Sequence, residues 1–198
     1  MSSFFDLEFQ NNNIDAKIAA GLERLSNAFR VMLWEQAKEH TLSPIQIQIL
    51  IFLKYHDQKF LTVSYLAKEM NVTKPTISDA VKALDQKSLI KKSNDLEDTR
   101  SYSIQLTSSG KKMVEKTESY GLPLQQLISK MKGSNKEVVW EMVSSLIHEL
   151  NKSNIISVQR TCFNCSFYKG GTANRCTLLD LPLKPLDIRI DCPEFIAL

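Results

Sequence analysis

The sequence predicts a mainly α fold of the α+β class, with one β-hairpin and a cysteine-rich C-terminal tail. Three observations predict it: long stretches with apolar residues three and four positions apart, one pair of alternating segments near 89–107, and four cysteines that all follow residue 160. Of the 198 residues, 43% are hydrophobic and 24% are charged, which is typical of a globular domain and excludes a disordered chain. We expect a main domain over 1–160 and a small appendage over 161–198.

A long amphipathic helix is predicted over 14–40, because its apolar residues alternate between spacings of four and three. They are Ile18, Leu22, Leu25, Phe29 and Met32. A second helix is predicted over 43–56, where Ser43 can cap the N-terminus and Pro44 suits the first turn. The alternation of Ile with Gln in this segment also fits a strand, but the apolar run is longer than a usual strand.

Two short capped helices are predicted next. Thr62 caps the first, over VSYLAKEM, and Asn71-Val72 form a tight turn. Thr73 caps the second, whose first turn tolerates Pro75. One face of the second helix is apolar and is expected to be core: Ile77, Ala80, Val81 and Leu84. The opposite face is polar and partly cationic: Pro75, Asp79, Lys82 and Gln86, flanked by Thr76 and Ser78.

A hairpin with a charged tip follows, because Leu89-Ile90 and the alternating segment SYSIQLT enclose the loop KKSNDLEDTR. Two short helices with a two-stranded wing form a winged helix-turn-helix, in which the second helix fits the major groove and the wing reaches the neighbouring minor groove or backbone. The N-terminus of that helix favours phosphate through its exposed amides, and Thr73, Lys74 and Thr76 add side-chain donors. Residues 62–112 carry nine positive and six negative charges, as a local nucleic-acid surface requires, although a solvated face is the alternative.

Long helices are predicted on both sides of this unit, over 14–40 and 109–158. In the second segment, Ser108-Ser109-Gly110 open a helix that bends at Gly121-Pro123, and Ser134 and Glu137 form a capping box that begins the last long helix. Their apolar seams exceed what a winged helix of about 50 residues can cover, so a second copy of the chain is the expected cover. Packing within one chain is the alternative.

Over about 14–160 the sequence resembles the MarR family of bacterial transcriptional regulators. The resemblance rests on LTVSYLAKEMNVTKPTISDAVKALDQKSLIKK and on the wing DLEDTRSYSIQLTSSGKK, which is similar to the family's D-x-R and L-T-x-x-G signatures. It implies that Arg100 inserts into the minor groove and that Asp98 braces the wing. It also implies that base and phosphate contacts lie between Thr73 and Lys82. The predicted DNA-binding residues are Thr73, Lys74, Pro75, Thr76, Ser78, Asp79, Lys82 and Arg100.

The resemblance implies a homodimeric, sequence-specific repressor of transcription that binds a pseudo-palindromic site in double-stranded DNA. In the family, a small-molecule effector or an oxidation event shifts the spacing of the two recognition helices and lowers affinity. One position departs from the pattern. Many members have Gly before the first wing strand, where this chain has Ser88, and a positive φ there would cost of the order of 1 kcal/mol.

The tail holds the four cysteines in the pattern C-x2-C-x10-C-x15-C. They are Cys162, Cys165, Cys176 and Cys192. Four thiolates can hold zinc in a tetrahedral site, which would order a tail that has little hydrophobic periodicity. The second pair lacks the usual zinc-ribbon spacing, and Pro193 after Cys192 is typical of some iron–sulfur sites. Zinc is therefore the first expectation, and an iron–sulfur cluster or free, redox-active thiols are the alternatives.

Catalytic motifs are missing from the sequence: it has no G-x-S-x-G, P-loop, Rossmann fingerprint or H-E-x-x-H, which counts against an enzyme. The sequence has no run of about 18 apolar residues, so no membrane partner is predicted and a cytoplasmic protein is expected. Two rival functions remain. One is a redox or metal sensor that uses a cluster as its switch, and the other is an adaptor whose winged helix binds protein instead of DNA.

Overall fold

The computed structural model describes residues 3–94, 102–171 and 174–198. Eight α-helices and five short strands lie in these ranges. The helices are α1 (Leu7–Asn12), α2 (Ile14–Glu39), α3 (Pro44–Tyr55), α4 (Val63–Glu69), α5 (Lys74–Gln86), α6 (Ser108–Thr117), α7 (Leu122–Ser129) and α8 (Gly133–Lys152). The strands are β1 (Ile90–Asn94), β2 (Tyr102–Leu106), β3 (Tyr168–Lys169), β4 (Arg175–Cys176) and β5 (Leu181–Pro182). The predicted mainly helical α+β fold is confirmed.

Local capping explains where the early helices begin. Ser43 and Gln46 form a complete capping box at the start of α3, so the helix predicted there is confirmed despite its strand-like alternation. Asn13 caps α2 by accepting a hydrogen bond from the amide of Ala16. A short helix that the sequence did not predict, α1, precedes it and is capped by the side chain of Asp6.

The hydrophobic core lies where α3, α5 and α6 pack against the hairpin. Ile47, Leu50, Leu84, Ile104 and Val114 are fully buried in it. β1 and β2 pair antiparallel, and the amide of Ile104 also donates to the carbonyl of Leu61 at 2.8 Å. Both α5 and the wing therefore pack against the same hydrophobic core.

The segment 109–158 holds three helices, one more than the sequence predicts, because the bend expected at Gly121-Pro123 is a break. α6 ends at Thr117, a 3₁₀ turn covers Glu118–Gly121, and α7 and α8 follow as separate helices. Thr117 is buried and donates its hydroxyl to the carbonyl of Met113, which satisfies that polar group inside the helix. The break falls at the predicted bend and is sharper than a kink.

The capping box predicted at Ser134 and Glu137 is wrong, because these residues do not cap α8. α8 begins at Gly133, and the residue with extended backbone before it is Lys132, which provides no side-chain cap. Ser134 lies inside the first turn, so its hydroxyl is not at the position from which a cap serves the first free amides.

The tail folds into a small three-stranded antiparallel sheet in the order β3-β4-β5, with two 3₁₀ turns at Cys162–Asn164 and Pro185–Asp187. It packs beside α8, where Trp140 donates its indole N–H to the carbonyl of Pro185 at 3.0 Å. Across the described ranges, none of the helices has the length and apolar character needed to cross a bilayer.

Candidate nucleic-acid interface and thiol cavity

The N-terminus of α5 is an open, polar helix end. Thr73 caps it: its hydroxyl accepts from the amide of Thr76 at 3.3 Å and lies 2.8 Å from the hydroxyl of Thr76. Pro75 occupies the first turn, where a missing amide proton costs nothing. Because Thr73 holds the amide of Thr76, the amide of Lys74 is the donor of this turn that can bind an anion.

The two faces of α5 divide as predicted. Its buried residues are the four assigned to the core, Ile77, Ala80, Val81 and Leu84. Every α5 residue predicted to bind DNA is exposed: Thr73, Lys74, Pro75, Thr76, Ser78, Asp79 and Lys82. The split of faces is confirmed, and the contacts with DNA stay a prediction.

The wing lies beside α5. Lys92 of β1 pairs with Asp85 of α5 at 3.4 Å and lies over the ring of Tyr102. Both residues of the predicted wing tip, Asp98 and Arg100, are outside the described residues, so their roles remain those that the family resemblance implies.

The base of the wing explains the L-T-x-x-G pattern physically. Thr107 donates its hydroxyl to the carbonyl of Ser88 at 2.7 Å and caps α6 by accepting from the amide of Gly110 at 3.0 Å. A Cβ on Gly110 would lie 1.9 Å from the carbonyl oxygen of Leu89, so only glycine fits. Ser88 has φ of 56°, which confirms that its position requires the left-handed conformation.

The four cysteines line one cavity in the tail, with a volume of about 30 Å³. Much of its wall is apolar, with Phe167, Tyr168, Leu178, Leu179 and Leu183 among the lining residues. All four cysteines are free thiols, and the structure thus brings together the residues predicted to share a ligand. Nevertheless, no group of three or more His, Cys, Asp or Glu side chains in the described ranges is arranged to hold a metal ion.

Arg189 is the main polar neighbour of these thiols. Its backbone amide donates to the sulfur of Cys162 at 3.3 Å, and its guanidinium lies 3.4 Å from the sulfur of Cys192. Such donors stabilise a thiolate. Burial nevertheless raises the pKa of the Cys192 thiol, against the opposing hydrogen bond from Arg189.

A buried arginine joins the tail to the helix-turn-helix, and the sequence analysis missed it. Arg160 is 4% exposed. Its guanidinium contacts both carboxylate oxygens of Glu69 at 2.6 and 3.1 Å, both of Asp191 at 2.6 and 2.8 Å, and the hydroxyl of Tyr65 at 2.7 Å. It also lies about 5.5 Å from the ring centres of Phe52 and Phe60. The sequence hints at its role only by proximity, because Arg160 and Asp191 lie within two residues of Cys162 and Cys192.

The charges in this cluster hold one another ionised. Burial alone would lower the pKa of Arg160, but hydrogen bonds to Asp191 and Glu69 outweigh burial and raise the pKa above its ordinary value. Burial would likewise raise the pKa of Asp191, yet hydrogen bonds from Arg160 and His56 hold it well below its ordinary value. A paired, hydrogen-bonded buried arginine of this kind fixes the relative position of the elements it joins.

Comparison with known proteins places the winged helix among relatives. The sequence profile of the MarR family matches residues 40–101. The chain is 31% identical over 114 residues to the HTH-type transcriptional repressor YetL of Bacillus subtilis (strain 168), and the alignment spans 57% of each protein. The chain therefore covers little more than half the length of that repressor.

Solved structures give the same result. The fold is similar to that of MepR from S. aureus in a complex with DNA, at 27% identity and a TM-score of 0.59, over 67% of this chain and 97% of MepR. It is also similar to YusO of Bacillus subtilis, at 21% identity and a TM-score of 0.51, over 68% of this chain and 95% of YusO. The second likeness concerns the fold alone.

The profile covers α3, α4, α5 and the first strand of the wing, β1. The matched family consists of transcriptional regulators, not enzymes, which agrees with the expectation from the sequence. Residues 40–101 therefore match the MarR family, and the fold around them is similar to that of MepR.

Proposed function

We propose that the protein is a sequence-specific DNA-binding repressor that acts as a homodimer. The observation that carries the proposal is the open polar face of α5, which holds Thr73, Lys74, Thr76, Ser78 and Lys82 at the surface while the opposite face is core. A helix of 13 residues with this face exposed fits the major groove. The likeness to MepR, solved with DNA, supports this assignment.

The homodimer follows from apolar residues that remain exposed on the long helices. On α2 these are Ile14, Ile18, Leu25 and Phe29, and on α8 they are Val138, Val139, Leu146 and Leu150. Each is between 38% and 66% exposed in the single chain. Exposed apolar side chains in such continuous rows mark an interface, and a two-fold dimer would present two α5 helices to successive turns of the major groove.

Selection from a pool of random duplexes tests this function. The full chain should enrich a pseudo-palindrome whose half-sites are about one helical turn apart, roughly 10 base pairs. An enriched pool without common sequence, or no retention of duplex, would contradict the proposal and favour an adaptor that binds protein. Arg100→Ala should reduce affinity for the selected duplex while the chain remains dimeric in light scattering, since the family resemblance assigns this residue to the minor groove.

We also infer that the four thiols bind one zinc ion. All four line a single cavity, and backbone and guanidinium donors of Arg189 face two of the sulfurs. Binding would draw the sulfurs closer together than they lie in the structure. Such a site contributes folding free energy to the tail directly.

Elemental analysis and an optical spectrum of anaerobically purified protein test the metal assignment. One zinc per chain and no absorbance in the visible range is the expected result. Iron with visible absorbance would mean that the thiols bind an iron–sulfur cluster instead of zinc. Protein that contains neither metal would mean that the thiols are free. Cys162→Ser should abolish stoichiometric zinc in the first case.

A further inference from the structure

The segment that leads into the tail contacts the helix-turn-helix at two separate places. At the first, Arg160 binds Glu69 and Tyr65 of α4. At the second, Ser157 donates both its amide, at 3.0 Å, and its hydroxyl, at 2.7 Å, to the side chain of Asn71. Asn71 has φ of 49° and forms the turn between α4 and α5. The segment just before the first cysteine therefore holds both the first helix of the motif and the turn that leads into α5.

The same segment is tied to the thiol cavity by the backbone. Cys192 donates its amide to the carbonyl of Arg160 at 3.0 Å, and Cys162 donates its amide to the carbonyl of Arg189. Arg160 lies two residues before Cys162, and Asp191, its carboxylate partner, directly precedes Cys192. Cys162 and Cys192 thus lie in the same two segments as Arg160 and Asp191, which form an ion pair.

The environment of Arg160 makes this connection stiff. Its guanidinium is enclosed by carboxylates on two sides and by the rings of Phe52, Phe60 and Tyr65, and it also reaches the ring of His56, which stacks on Phe52 with centres 3.7 Å apart. A buried arginine in such surroundings can shift only if several partners shift with it. Thus α4 and the segments that carry Cys162 and Cys192 share one charged cluster.

We propose that zinc in the thiol cavity strengthens DNA binding through the Arg160 cluster. Zinc orders the segments that carry Cys162 and Cys192, and these segments position Arg160 and Asp191. Arg160 then holds α4, and Ser157 holds the Asn71 turn beside α5. An α5 held in place before it meets the duplex loses less freedom on binding. The inference rests on the proposed DNA-binding and zinc-binding functions and adds the link between them.

The test compares duplex affinity of the full chain with zinc bound and after chelation under reducing conditions. For the natural sequence, zinc should tighten binding at least fivefold, a usual size for coupling between two sites. Because such coupling is reciprocal, saturating duplex should tighten zinc binding by the same factor. Equal affinities with and without zinc, or weaker binding with zinc, would overturn the inference.

Glu69→Gln isolates the link. This variant weakens the contacts of Arg160 with α4 while it leaves all four thiols and the exposed face of α5 unchanged, so the zinc effect should fall to less than twofold. Glu115→Gln, an exposed residue of α6, makes the same change of charge and should retain the full effect. A Glu69→Gln protein that keeps the full zinc effect would contradict the route through Arg160.

Tyr65→Phe provides a second variant that removes only one hydroxyl from the cluster and keeps the aromatic ring. It should fold, bind zinc and reduce the zinc effect partially. Zinc stoichiometry and the affinity for duplex are measured separately in each protein. If the natural sequence fails to bind zinc or fails to bind duplex, the proposed function is wrong. If it binds both but neither affects the other, only the coupling through Arg160 is wrong.

Discussion

Gly110 is a single position on which the junction of wing and helix depends. An added methyl group would meet the carbonyl of Leu89, which belongs to the backbone and cannot rotate away. We predict that Gly110→Ala lowers the free energy of unfolding by about 2–3 kcal/mol, the usual cost of overpacking. Urea denaturation measures it. Gly133→Ala, where nothing lies within 4 Å of the added carbon, serves as the control and should be neutral or slightly stabilising. Equal stability of the two variants would show that the junction tolerates a side chain.

Ser88 tests the cost of a left-handed residue other than glycine. It has φ of 56°, and Thr107 holds its carbonyl oxygen. We predict that Ser88→Gly raises the free energy of unfolding by about 0.5–1 kcal/mol, because glycine adopts this conformation without a Cβ clash, although its more flexible unfolded state takes back part of the gain. Thermal unfolding of Ser88→Gly and Ser88→Ala compares them. A glycine variant less stable than the alanine variant would mean that the backbone is not strained there.

At the scale of the element, α5 combines a buried apolar face with an exposed face that is polar and partly cationic. Lys74 lies in its first turn and Lys82 two turns further along. We predict that Lys74→Ala and Lys82→Ala each weaken binding to all duplexes by a similar factor and flatten the salt dependence by about one for each protomer. Fluorescence anisotropy over a range of salt concentrations measures the slope. The matched control is Lys116→Ala, an exposed lysine in the last turn of α6, and unchanged slopes for the two α5 variants would remove those residues from the interface.

The sequence predicted the elements that local chemistry specifies. Ser43, Thr62 and Thr73 each cap a helix where expected, and the spacing of Ile77, Val81 and Leu84 identified the buried face of α5. The false capping box at Ser134 shows the limit, because the same residue pattern occurs inside a helix that began one residue earlier. The bend at Gly121-Pro123 and a separate last helix were predicted, whereas the 3₁₀ turn over Glu118–Gly121 was not.

At the scale of the whole molecule, the Arg160 cluster could not be predicted from sequence. Its members are separated by up to 135 residues, from His56 to Asp191, and no local pattern joins them. The four cysteines were recognised because they are clustered in sequence and share one kind of chemistry. The apolar seam on α2 was also predicted, since helical periodicity gives the face of a helix directly.

That seam yields a prediction about assembly. Leu25 is 46% exposed on the apolar row of α2, and Val31 is 55% exposed about 120° away around the same helix. We predict that Leu25→Lys converts the dimer to a monomer and weakens duplex binding, because a buried lysine without a partner is costly. Val31→Lys should leave both unchanged. Light scattering gives the mass, and a dimeric Leu25→Lys protein would place the interface elsewhere.

The dependence of duplex affinity on salt tests most directly whether α5 reads DNA. Two lysines on each of two protomers contribute four phosphate contacts, so the logarithm of the binding constant should fall against the logarithm of salt concentration with a slope of about −3.6 or steeper. The doubly substituted chain, Lys74→Ala with Lys82→Ala, should lose most of that dependence while remaining folded and dimeric. A slope near zero for the natural sequence, or one that the double substitution does not change, would contradict the account.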